Sequence, residues 1–152
     1  MTQPTTDLLP YKRSRFQTRL PLQRRYTAGH FWLSEREPGL WRVGLTRFAT
    51  RMLGDLVEHD FESKPGDAVQ VGQVIGWVEG FKAVTDLYCV AAGQFVGGNS
   101  DLIDDLALID SDPYHRGWLY EVRGQPDPAS VDVHGYTGIL DAAIDQIQGQ
   151  TQ

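Results

Sequence analysis

Between Val74 and Val90 lie two segments rich in Val, Ile, Trp, Thr and Tyr, pinched around Gly80, Phe81 and Lys82. Such composition around a glycine predicts a tight β-hairpin, with Lys82 at or beside its tip. The chain has only three lysines, Lys12, Lys64 and Lys82. A primary amine on a long stem at a rigid tip suits covalent loading with a prosthetic group. Spacing alone favours a plainer role, a solvated charge that keeps the turn in water.

The flanking segments favour loading. Upstream, Pro65–Gln73 reads as turn, strand, turn; downstream, Ala91–Val96 reads as turn and strand. The same order is met in both directions from Lys82. This approximate symmetry resembles the biotinyl/lipoyl carrier fold, a flattened barrel of two small sheets with the modified lysine on a protruding hairpin. Biotin carriers place Met on both sides of the lysine; Phe81 and Ala83 stand here, so the resemblance favours lipoate.

Further motifs extend the likeness. His30-Phe31-Trp32, Val43-Gly44-Leu45-Thr46, Leu53-Gly54-Asp55-Leu56-Val57, Glu79-Gly80-Phe81-Lys82-Ala83 and Asp112-Pro113-Tyr114-His115-Arg116-Gly117-Trp118-Leu119 follow in order. Together, from about Tyr26 to Ile147, they resemble the H-protein family of the glycine cleavage system. The resemblance implies a mostly β fold with short helices and a C-terminal helix. It also implies a non-catalytic carrier with lipoate in amide linkage to Lys82, and a role for Glu79 in recognition by the lipoate ligase or lipoyl transferase. Gly80, Phe81 and Ala83 complete the tip. The implied partners are the glycine cleavage P, T and L proteins, the last a lipoamide dehydrogenase, among which the arm shuttles an aminomethyl group. A related branch of the family serves sulfur oxidation with a heterodisulfide-reductase-like complex. The family usually has Ser and a small β-branched residue where this chain has Gly80 and Phe81. That departure, with the long basic arm, points to the sulfur branch. An unmodified, H-like interaction module is the reading from a different class.

Charge is unevenly divided. Residues 1–25 hold six basic residues and one acid, a local net of +5, which leaves 8 basic and 19 acidic residues, a net of −11, for the rest. A basic arm (1–25) on an acidic carrier domain (26–150) is expected to fold back against it. The acidic body and the lack of an aromatic-interleaved basic face argue against nucleic-acid binding. No apolar run reaches the ~18 residues of a membrane span, and no secretory signal opens the chain, so a cytoplasmic location without membrane contact is expected. With 41% apolar residues and one cysteine, Cys89, the core must form without an internal disulfide.

Local signals order the rest. Phe31–Leu33 and Leu40–Leu45 read as a hairpin around Arg36–Gly39. Thr46 caps a helix Arg47–Leu53, closed by Gly54, with Phe48 and Met52 on one face. Leu56–Phe61 is a strand. Val74 and Val78 on one face of the carrier strand, Ile75 and Trp77 on the other, suit a thin sandwich. Ser100 is expected to cap a helix with Asp101, Asp104 and Asp105 near its start and an apolar stripe of Leu102, Ile103, Leu106 and Ile109. Those acids have no histidine at ligand spacing, so they read as helix-end charges and no metal is expected. Trp118–Val122 is a strand, Gln125–Pro128 a connector, and Thr137 caps a last helix striped by Leu140, Ala143, Ile144 and Ile147. His30, His59, His115 and His134 are scattered, and none sits in a hydrolase, Walker or metalloprotease motif.

Overall fold

A computed structural model describes residues 7–150; residues 1–6 of the basic arm lie outside the described residues. The arm opens with β1 (Leu8–Arg13) and β2 (Phe16–Pro21), an antiparallel hairpin. Next come β3 (Arg25–Tyr26), β4 (Phe31–Glu37), β5 (Leu40–Leu45) and α1 (Arg47–Leu53). β6 (Leu56–Phe61), β7 (Ala68–Val69), β8 (Val74–Gly80), β9 (Val84–Tyr88) and β10 (Ala91–Gly98) lead to α2 (Asp101–Asp104) and α3 (Leu108–Ser111). β11 (Tyr120–Pro126) and α4 (Val133–Gln150) end the fold.

Six strands form one sheet in the order β3-β4-β5-β11-β10-β7, and β6-β8-β9 form a second. Phe31, Leu33, Val43 and Val122 of the first share one buried cluster with Ile75, Val78 and Leu87 of the second. This is the flattened two-sheet carrier architecture expected, closed by a C-terminal helix. A second cluster lies beneath α4: Leu20, Tyr26, Trp32, Phe48, Tyr136, Leu140 and Ile144. No described helix is long and apolar enough to cross a membrane.

The described arm does pack on the body. Its inward face sets Phe16 edge-on against Phe48, with centroids 5.4 Å apart. The Tyr11 hydroxyl donates to Asp141 at 2.7 Å, and Arg13 grips Asp145 through Nε and Nη2 at 2.9 and 2.8 Å. Alternation explains the hairpin: Leu9, Tyr11, Arg13, Phe16, Thr18 and Leu20 turn inward while Lys12, Gln17 and Arg19 stay exposed.

Several local expectations change. Val74 and Val78 do not share a face: a bulge between Val74 and Gly76 shifts the register, so Ile75 and Val78 are both buried while Val74 is exposed. Met52 is half-exposed although Phe48 is buried, because α1 covers the body along a narrow stripe. The expected helix after Ser100 is two four-residue helices, which leaves Ile103 82% exposed. Ser100 makes no side-chain cap; Asn99 Oδ1 instead accepts from the Asp101 amide at 3.1 Å. Thr137 lies inside α4 and donates to the His134 carbonyl at 2.7 Å, whereas Asp132 Oδ1 caps the first turn by accepting from Gly135 N–H at 2.9 Å. The strand expected at Trp118 starts at Tyr120 and continues through Gln125 and Pro126.

Candidate functional site at the Lys82 hairpin

The hairpin predicted around Lys82 is the β8–β9 pair, with Glu79 opposite Val84 and Val78 opposite Thr85. The Gly80 amide donates to the Ala83 carbonyl at 2.8 Å and closes the turn. The α1–β6 connection then holds the tip from outside. Lys82 N–H donates to the Leu53 carbonyl at 2.8 Å, and Phe81 N–H to the Asp55 carbonyl at 2.9 Å. Three consecutive tip amides thus have partners, and the backbone at Lys82 is tied to two elements rather than one.

Gly80 is required by this clasp. A β-carbon there would lie 2.2 Å from the Leu53 oxygen, closer than any real contact. Gly54, the residue that ends α1, has φ +75° and sits beneath the lysine stem; a β-carbon on it would meet Lys82 Cγ at 2.9 Å. Only glycine satisfies both the left-handed turn and the close passage. The Leu53-Gly54-Asp55 motif was visible in the sequence, but its partner was not, since the two segments are 27 residues apart.

Lys82 is exposed, and among the described residues no carboxylate lies within ion-pair distance of its amine. Its two flanks differ. On one side Arg47, Thr50, Arg51 and Phe81 line a groove in which Arg47 pairs with Asp110 at 2.9 Å. On the other, Ala83 borders an apolar cleft of about 390 Å³ walled by Phe31, Leu45, Met52, Leu53, Val84 and Tyr88. Phe81 is 81% exposed, so its ring stands mostly in water at the rim of that groove. Glu79 sits on the strand rather than at the tip. It is half-buried and lies opposite exposed Glu58 of β6.

The other lysines occupy different settings, Lys12 on β1 and Lys64 in the loop after β6. Cys89 is fully buried, donates to the Ala91 carbonyl at 3.0 Å, and has its thiol pKa pushed up by burial. That burial keeps the thiol protonated and out of reach of solution reagents. His30 Nδ1 meets the Tyr136 hydroxyl at 2.9 Å, and burial pushes its pKa down to about 4. His59 is likewise lowered by burial, and His115 faces Asp112 at 3.3 Å. Among the described residues no three His, Cys, Asp or Glu side chains are grouped to hold a metal ion.

The two-sheet sandwich with its protruding, doubly anchored hairpin has the architecture of the lipoyl-carrier fold. The chain matches the glycine cleavage H-protein family over residues 24–133, and it belongs to that family. It is 41% identical to the glycine cleavage system H protein of Streptomyces avermitilis over 71% of this chain and 86% of that protein. The H protein of Kocuria rhizophila is 35% identical over 82% of this chain and 99% of its own. A crystal structure of the H protein from Mycobacterium marinum superposes with a TM-score of 0.71 at 38% identity, covering 78% of this chain and 97% of that one. The expected lean to sulfur oxidation draws no support from these likenesses, all of which are to glycine cleavage proteins. The β1–β2 hairpin precedes the family match.

Proposed function

We propose that this chain is the lipoyl carrier of a glycine cleavage system, loaded through an amide on Lys82 Nζ. The observation that carries the proposal is the exposed, unpaired Lys82 amine on a tip held by Leu53 and Asp55. The residues present fit lipoate: the stem lies over Gly54, and the apolar cleft beside Ala83 has room for a hydrocarbon arm. When bound, lipoate supplies a disulfide–dithiol pair that holds and passes on the substrate fragment.

The chain's own residues position and shield. Acylation removes the Lys82 charge, so the loaded arm can enter an apolar cleft without burying an ammonium. The clasp keeps the origin of the arm fixed as partners exchange. Glu79, three residues before the lysine, is offered to the lipoate ligase or lipoyl transferase, and Gly80, Phe81 and Ala83 shape the tip those enzymes read. The partners on this reading are the P, T and L proteins, and the chain itself catalyses nothing.

Of the departures that suggested sulfur oxidation, two have local explanations: Gly80 answers the close passage of Leu53, and the basic arm packs against α1 and α4. The third, the exposed Phe81 ring, has no structural explanation.

Intact mass after expression in a lipoylation-competent host, followed by glycine decarboxylation with P, T and L proteins, tests the reading. One lipoyl group and turnover with those enzymes are expected. An unmodified chain would favour a cargo-less interaction module, and a loaded chain inert with P, T and L proteins would reopen the sulfur branch.

A further inference from the structure

The sheet that does not carry Lys82 has a pocket of its own, about 320 Å³ in volume. It opens on the outer face, where Trp32, Ser34 and Arg36 alternate with the core-facing Leu33, and where Arg42 stands opposite Ser34. Four arginines line it, Arg24, Arg36, Arg42 and Arg116, against a single carboxylate, Asp101. This surplus of positive charge sits on a chain whose net charge is −6.

Two of the arginines are held in place by rings. Arg24 lies over Trp32 at 5.3 Å, and Arg42 over Trp118 at 4.3 Å. Stacking fixes a guanidinium plane while leaving edge N–H groups free to meet an acceptor. Arg42 is paired with Glu121 at 3.1 Å. Among the described residues no carboxylate lies within 4.0 Å of Arg24, Arg36 or Arg116. Arg24 donates to the carbonyls of Gln23 and Tyr114, both at 3.2 Å, and its buried Nε has no partner. Burial lowers its pKa, and nearby Arg36 and Arg42 push it in the same direction. A half-buried arginine beside two like charges, without a counter-charge of its own, is electrostatically incomplete.

We propose that this pocket binds a phosphate group, free or as a small monoester, between the ring-stacked Arg24 and Arg42 and the exposed Arg36 and Arg116. A dianion balances what Asp101 alone does not, and the arginine fork matches phosphate oxygens in bidentate geometry. The volume admits a phosphate with a few further atoms.

The test follows the indole N–H signals of Trp32 and Trp118 by NMR while inorganic phosphate, or glycerol phosphate, is added at constant ionic strength. Saturable shifts are expected. An Arg36→Gln/Arg116→Gln double variant should bind about tenfold more weakly, and because both side chains are exposed it should keep the rest of the spectrum. Tighter binding of the ester identifies the ligand as a monoester; equal binding identifies free phosphate. Shifts that chloride reproduces, or an affinity unchanged in the double variant, overturn the proposal. The readout does not depend on Lys82, so its failure leaves the carrier reading untouched.

Discussion

Gly80 and the Leu53 carbonyl meet so closely that a β-carbon on Gly80 would lie 2.2 Å from that oxygen. This contact welds the carrier hairpin to the end of α1. A serine at this position does not fit without moving the clasp. Gly80→Ser should therefore cost about 1–3 kcal/mol, the range for forcing atoms into a packed site. It should also loosen the tip, seen as faster hydrogen exchange at the Phe81 and Lys82 amides. Unchanged stability and exchange would show that the α1–β6 connection yields freely.

Lys82→Arg should abolish lipoyl loading. A Lys12→Arg/Lys64→Arg variant should load fully, because those lysines lie on a strand and in a loop without the tip's two outside hydrogen bonds. Intact mass and peptide mapping decide, and a lipoyl group found on Lys12 or Lys64 would refute the assignment.

Glu79 lies opposite Glu58 across β6 and β8, and like charges in that position do not stabilise a sheet. Glu79→Gln should keep its thermal stability to within ~0.5 kcal/mol. Loading by the attaching enzyme should slow, as the proposed recognition of this carboxylate requires. A normal loading rate would remove Glu79 from recognition.

Phe16 joins the basic hairpin to the body through Phe48, with the Arg51 guanidinium 6.0 Å from its ring. Phe16→Ala should destabilise by about 2 kcal/mol, below the range for a fully buried ring because Phe16 is only half-buried. The loss should appear as a lower Tm and as faster proteolysis between β2 and β3. Cleavage and Tm like those of the parent chain would mean the hairpin docks through its ion pairs alone.

His30 is held neutral by burial, with a folded-state pKa of about 4 against ~6.5 when unfolded. Above pH 6.5 both states are neutral and the group adds no pH dependence. Between pH 6.5 and 4 the unfolded chain takes up the proton first, so stability falls, by on the order of 3 kcal/mol at most. His59, also lowered by burial, acts in the same direction. His30→Asn tolerates the residue's positive φ of 70° and should flatten the acid side of the stability curve. Denaturant midpoints from pH 7 to 4 measure this, and identical slopes in the two proteins would exclude His30.

What the chain's local grammar determined is the set of features whose causes are adjacent in sequence. The Lys82 turn and the helix from Thr46 to Gly54 carry their own turn or cap residues and formed where expected; the hairpin expected around Arg36–Gly39 also formed, with its first strand running on to Glu37 and only Pro38-Gly39 left to turn. The carrier fold and the H-protein family were legible for a related reason, because five short motifs keep their order around one lysine. Tertiary packing decided the rest. The bulge in β8 arises because Ile75 and Val78 must both face the other sheet, which strict alternation forbids. The helix after Asn99 breaks in two and leaves Ile103 in water, and Asp132 displaces Thr137 as the cap of α4. The basic arm shows its charge in the sequence, but its hairpin depends on Phe48, Asp141 and Asp145, which lie 32 to 132 residues from their partners. Periodicity reports which residues want burial; only the assembled sheets decide how many of them can have it.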